Sequence, residues 1–162
     1  MAKLISKVVE VDSDKESLLK AIYKPNIWEK ISPVKKITIE FTAPNVFHSD
    51  IYDEVDLINI PIEMSGELVM IDQGEVPDKG HLIELNVRNN KDVDKLEGRL
   101  RIKNIGTKKA KVGVFIHTFK VNNELLNLIG DASELILRNK LSQILRNLQN
   151  YLKNNDIKDL LE

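Results

Sequence analysis

The chain has 162 residues, 42% of them hydrophobic and 30% charged, and its 24 Lys and Arg nearly balance its 25 Asp and Glu. That length suits one domain with a real core, and the charge balance argues against nucleic acid as the main partner, because phosphate binding needs a basic surplus. Without cysteine there can be no disulfide, thiol nucleophile, thiolate zinc site or iron–sulfur cluster.

The N-terminal "MAKLISKVVEVDSD" carries Lys3, Lys7, Glu10 and Asp12 and lacks the apolar run of a signal peptide. No stretch approaches the roughly 20 apolar residues of a membrane span. A soluble, cytoplasmic protein is the expectation. Lys3–Val11 reads as a first strand. Ser13 followed by Glu16 has the spacing of a capping box, which predicts a helix over about Asp14–Ile22, ended by Pro25. "NIWEKIS" predicts a second short helix with Ile27, Trp28 and Ile31 inward, stopped by Pro33.

Strands follow. "KKITIEF" alternates Ile37, Ile39 and Phe41 with Lys36, Thr38 and Glu40, the period-2 pattern of a sheet with one wet face. "FHSDIYDEVDL" carries Phe47, Ile51, Val55 and Leu57 in phase, with Asp53 among them. "IEMSGELVMID" aligns Met64, Leu68 and Met70; "HLIELNVR" aligns His81, Ile83, Leu85 and Val87. "KLEGRLRIK" opposes Leu96, Gly98, Leu100 and Ile102 to Glu97, Arg99, Arg101 and Lys103, and "AKVGVFIHTFKV" is apolar on both faces. Short turns between neighbours make these strands antiparallel. The dry face needs a cover, and the long helical pattern from Asn123 to Leu152 is the only element large enough to supply it. The fold class is therefore α+β: an antiparallel sheet of about seven strands covered by a long C-terminal helix, with two short helices after the first strand, in a single domain over residues 1–162.

In that last helix Leu125, Leu128, Ile129, Ala132, Leu135 and Ile136 form one stripe, while Leu141, Ile144, Leu145, Leu148, Tyr151 and Leu152 form another, rotated by roughly 130°. The break falls at Arg138–Lys140. It reads as a kink, as a change of packing neighbours, or as a polar continuation through Asn139, Gln143 and Asn147 that faces a cavity.

This layout resembles the helix-grip fold of the START and Bet v 1-like superfamily, which includes polyketide cyclases and a family of small carbon monoxide dehydrogenase subunits. The segments that carry the resemblance are "VEVDSDKESLLKAIYKPNIWEKISPV", the turn in "IGTKKAKVGVFIHTF" and "LNLIG" at Leu126–Gly130. Val34 stands where a glycine is usual after the proline, and Asn123 or Glu124 where one is expected before the last helix. The resemblance implies that the sheet is curved and grips the helix, wrapped on it around an apolar cavity. It also implies a hydrophobic or amphipathic small-molecule ligand such as a lipid, quinone or polyketide.

Expected to line that cavity are Trp28, Phe41, Met64, Leu68, Met70, Leu85, Phe115, Leu128, Ala132 and Ile136, with His81, His117 and Asp53 as polar candidates. A buried Asp53 must pair, protonate or reach water; alternatively a bulge turns it outward. No two of His48, His81 and His117 share a metal-site spacing, and no cofactor motif is present. Two other functions stay open. A cyclase or aromatase would need two of Asp53, His81 and His117 to converge in one cavity. An accessory protein would have a filled core and no ligand, and a protein partner or a homo-oligomer is compatible with any of these.

Overall fold

A computed structural model describes residues 5–55, 60–90, 92–122 and 132–161. Strand β1 (Ile5–Val11) is followed by helices α1 (Lys15–Ala21) and α2 (Pro25–Ile31). Then come strands β2 (Lys36–Ala43), β3 (Val46–Val55), β4 (Ile60–Val76), β5 (Gly80–Arg88), β6 (Val93–Gly106) and β7 (Lys109–Val121). The chain closes with helix α3 (Ala132–Asn154) and a 3-10 turn at Ile157–Leu160. All neighbouring strands are antiparallel, in the order β1-β7-β6-β5-β4-β3-β2. The architecture is the α+β helix grip that the resemblance implied, with the one-sided burial that the alternation predicted. Leu100 and Ile102 are buried, whereas Lys36, Glu40, Arg99 and Lys103 are exposed.

Local chemistry sets the helix ends. Asp14, not Ser13, is the N-cap of α1: its carboxylate accepts from the Ser17 backbone N–H at 2.9 Å, and the buried Ser13 hydroxyl donates to the Asp14 carbonyl. Pro25, expected to end α1, instead opens α2 at its first position, where a missing N–H costs nothing.

The C-terminal helix corrects the two-stripe reading. It runs unbroken through Arg138–Lys140. Its packed face is Leu137, Leu141, Ile144, Leu145, Leu148, Tyr151 and Leu152, so the second stripe extends backward through Leu137. Leu135 is 49% exposed and Ile136 is half-buried; Leu125, Leu128 and Ile129 lie outside the described residues. Three polar tethers hold this helix. Gln149 donates to the Glu10 carbonyl of β1 at 2.9 Å and Asn147 to the Ile31 carbonyl of α2 at 3.0 Å. Lys140 donates to the Pro33 carbonyl at 2.7 Å and forms an ion pair with Asp53 of β3 at 2.5 Å. Asp53 therefore faces inward, as its phase with Ile51 requires. No bulge turns it out, and a base on the facing helix compensates its charge. That base sits in the segment expected to be a break.

Beyond this pair, α3 packs chiefly on β1, β7 and α2, α2 packs on β2, and α1 lies against β6 and the terminal 3-10 turn. The helices thus crowd the edges of the concave face, with α1 reaching β6, and among the described residues no helix packs extensively on β3, β4 or β5.

Two tests follow from this packing. Removing one member of a largely buried ion pair leaves the other uncompensated. Lys140→Met and Asp53→Asn should each destabilise by about 2–4 kcal/mol in urea unfolding. The double variant should recover part of that loss, and simple additivity of the two single effects would refute the coupling. The second test concerns Asp14. The Ser17 N–H holds its carboxyl below the usual Asp value, so its stabilisation is fully present above that value and is lost as pH falls through the lowered one. Asp14→Ala should cost about 1 kcal/mol at neutral pH. That gap should close in acid melts below about pH 4, and a gap that stayed constant would show that the charge is irrelevant.

Candidate ligand cavity

The concave face of the sheet encloses a cavity of about 320 Å³, partly open to solvent. Its floor is the concave face of the sheet: Ile51 on β3, Met64, Gly66 and Leu68 on β4, Leu85 and Val87 on β5, Leu96 and Leu100 on β6, and Val114 and Ile116 on β7. Its roof is Leu141, Ile144, Leu145 and Leu148 of α3. Leu18, Ile22, Ile27, Trp28 and Ile31 of the short helices close one side. The tilted ring pair of Trp28 and Phe47, with centroids 5.4 Å apart, stiffens that wall, and the Trp28 indole N–H is satisfied by the Ile22 carbonyl at 2.8 Å. Among the described residues, the polar members of the lining are Ser49, Glu67 and Asn90.

Of the residues expected to line this space, Trp28, Met64, Leu68 and Leu85 do so. Phe41 shares their face but packs on Phe47 at a centroid distance of 5.4 Å, outside the cavity. Met70 is wholly buried in solid core with Ile83. Phe115 is a correction. It points to the convex face, in register with Ser6 and Arg99, and Arg101 stacks over its ring at 4.7 Å. This is how a strand apolar on both faces is accommodated: the outer ring is covered by a guanidinium rather than by another element. Leu128 lies outside the described residues, Ala132 is the first described residue of α3, and the half-buried Ile136 is not part of the lining.

The polar candidates are scattered. Asp53 is consumed by Lys140. His81 lies at the far end of β5, where its Nε2 meets Asp72 at 2.6 Å and its Nδ1 meets Glu75 at 3.5 Å. Lys15 also pairs with Glu75, and its ammonium hydrogen bond holds that carboxyl below the usual Glu range. Tyr23 faces this cluster, its phenol pushed up by burial and secondarily by the Asp72 charge. His117 is exposed at a bulge, since Gly98 pairs with Ile116 while Glu97 pairs with Thr118, and its Nδ1 meets the Thr118 hydroxyl at 2.9 Å. The convergence that a cyclase reading requires of Asp53, His81 and His117 is therefore not found.

Sequence reasoning missed Ser49, Gly66 and Asn90. Gly66 carried a signal, being a glycine inside a strand, which often marks a close approach. A Cβ there would stand 2.7 Å from Asn90 Nδ2 and 2.8 Å from Asn90 Cβ.

No family model and no curated protein matches this chain, but solved structures do. TTHA0849 from Thermus thermophilus superposes with a TM-score of 0.68 at 10% identity, over 93% of this chain and 97% of that one. A START superfamily protein from Mycobacterium smegmatis gives 0.66 at 15% identity over the same shares, 93% and 97%. The Zhui aromatase/cyclase from Streptomyces sp. R1128 gives 0.62 at 9% identity, over 99% and 94%. At such identities the likeness is one of fold. The strand order, the two short helices after β1, the long helix on the concave face and these superpositions agree: the chain has the START/Bet v 1-like helix-grip fold.

Proposed function

We propose that this protein binds a hydrophobic or amphipathic small molecule between its sheet and its C-terminal helix. The observation that carries the reading is the cavity itself. Its volume falls at the lower end of the roughly 300–1,000 Å³ of small-molecule sites, and its lining is apolar apart from three residues gathered at one end. Burial of ligand surface drives binding, at about 25 cal/mol per Å². Met64 on the floor adapts to shape, since an unbranched thioether side chain repacks at little cost. Lipids, quinones and polyketide-like molecules meet these demands. A role without ligand, resting on a filled core, gains no support from a void of this size. A cyclase or aromatase role lacks the acid–base convergence it needs. The reading fits a protein working in the cytoplasm, and among the described residues no helix is long and apolar enough to cross a membrane.

Native mass spectrometry of protein purified without detergent should show a co-purified mass that denaturation releases. The neutral fluorescent probe N-phenylnaphthylamine should brighten on binding at micromolar protein. Val87→Phe should abolish that signal and raise the melting temperature by about 2–4 °C, the effect of filling a void. A silent probe together with a destabilised Val87→Phe would show a packed interior and sink the binding reading.

A further inference from the structure

The polar end of the cavity is built for a particular kind of ligand atom. Asn90 Oδ1 accepts two backbone N–H groups, from Asp92 at 2.8 Å and Val93 at 3.0 Å. Two donors can meet only the amide oxygen, so the amide orientation is set by the hydrogen bonds themselves. The –NH₂ is thereby pinned against Gly66, into space that a side chain at that position would occupy. Ser49 is the register partner of Gly66 across the β3–β4 ladder, which places its hydroxyl on the same concave face. Among the described residues, neither Asn90 Nδ2 nor the Ser49 hydroxyl has a protein hydrogen-bond partner, and both residues line the cavity. Two donors thus flank Gly66 on the concave face of an otherwise apolar chamber.

Charge narrows the choice further. No cationic side chain is among the described lining residues, and Glu67, which alternates with Gly66 and Leu68 on β4, turns its carboxylate to Arg88 on the convex face. The carboxyl of Glu67 is held below the usual Glu range, first by the Asn89 amide and also by Arg88, so it stays ionised at neutral pH. Arg88 lies 3.4 Å from Glu67, so its charge is already compensated. An anionic head would enter this end with no counter-charge, at high desolvation cost.

Resting on the binding reading above, we propose that the ligand is a neutral carbonyl compound, a ketone, quinone or ester, whose C=O oxygen accepts from Asn90 Nδ2 and the Ser49 hydroxyl while its hydrocarbon body lies under α3. Asn90 and Ser49 are specificity-determining residues. They select an uncharged acceptor oxygen against both a plain hydrocarbon and a carboxylate.

The test uses three naphthalenes substituted at one ring position with acetyl, ethyl or carboxylate, titrated calorimetrically into the full-length protein. The acetyl compound should bind about tenfold more tightly than the ethyl compound, the increment of one to two neutral hydrogen bonds, and the carboxylate should bind weakest. Asn90→Asp keeps the Oδ1 that accepts from Asp92 and Val93 but replaces the –NH₂ with oxygen. It should erase the acetyl preference over the ethyl compound, and Ser49→Ala should lower the preference in part. In amide-resolved NMR of the wild type, the Asn90 side-chain NH₂ should shift with the acetyl compound and not with the ethyl one. Equal affinity for acetyl and ethyl compounds, or a preference that survives Asn90→Asp, would overturn the carbonyl proposal and leave the cavity reading standing. Failure of all three compounds to bind would overturn both.

Discussion

One helix cannot cover a seven-stranded sheet. A helix with its side chains is roughly 10–12 Å across, whereas six inter-strand spacings of about 4.8 Å give a face nearly 29 Å wide. The remaining architecture is a response to that mismatch. The sheet curves to bring its edges inward, α3 settles on β1 and β7, and α2 fills in over β2. What stays uncovered is the middle of the concave face. Because α2 and the Lys140–Asp53 pair hold the far side at a distance, the sheet does not collapse onto the helix, and the gap persists as a cavity. A long cationic side chain suits this bridging position, since it spans the gap while still donating to the Pro33 carbonyl.

The interior treats its polar groups in two ways. Asp53 and Lys140 satisfy one another, so they contribute to the position of the helix and offer nothing to a guest. Asn90 and Ser49 are only half used. The oxygen of Asn90 belongs to the backbone turn at Asp92–Val93, and its nitrogen is left over. A donor without a partner would be costly in packed core, and Asn90 is half-buried beside the partly open void instead, which is what the carbonyl proposal rests on. Both kinds of site look alike in the sequence, as lone polar residues near apolar runs. Only the partner, or its absence, tells them apart.

The strands were legible because a period-2 pattern with one charged face admits one orientation: Leu100 and Ile102 inward, Arg99 and Lys103 outward. Asp53 was legible in direction for the same reason. Its partner was not, because Lys140 is distant in sequence and pairing is decided by tertiary distance. Phe115 failed for a physical cause. A strand apolar on both faces holds no phase information, and the covering cation, Arg101, comes from the neighbouring strand. His117 was lost to a bulge, since an extra residue lets Ile116 and Phe119, three apart, pair in phase with Gly98 and Leu96. The helix misled through Leu135 and Ile136, whose apolar character suggested a buried stripe, whereas the packed face tracks back through Leu137. Asn90 had no sequence signal, because an asparagine after a strand is ordinary turn chemistry.

The bond from Gln149 to the Glu10 carbonyl has a bearing on solubility. This sheet is open, and β1 is one of its two terminal strands. A free strand edge invites pairing with another chain and so invites aggregation. The C-terminal helix occupies one of the acceptors on β1 and lies along that strand, serving as a guard rail as well as a roof. Swinging the whole helix away to admit a guest would bare this edge at each exchange. On the binding reading proposed above, passage along the other flank of the helix, over β3 to β5, leaves the guard in place.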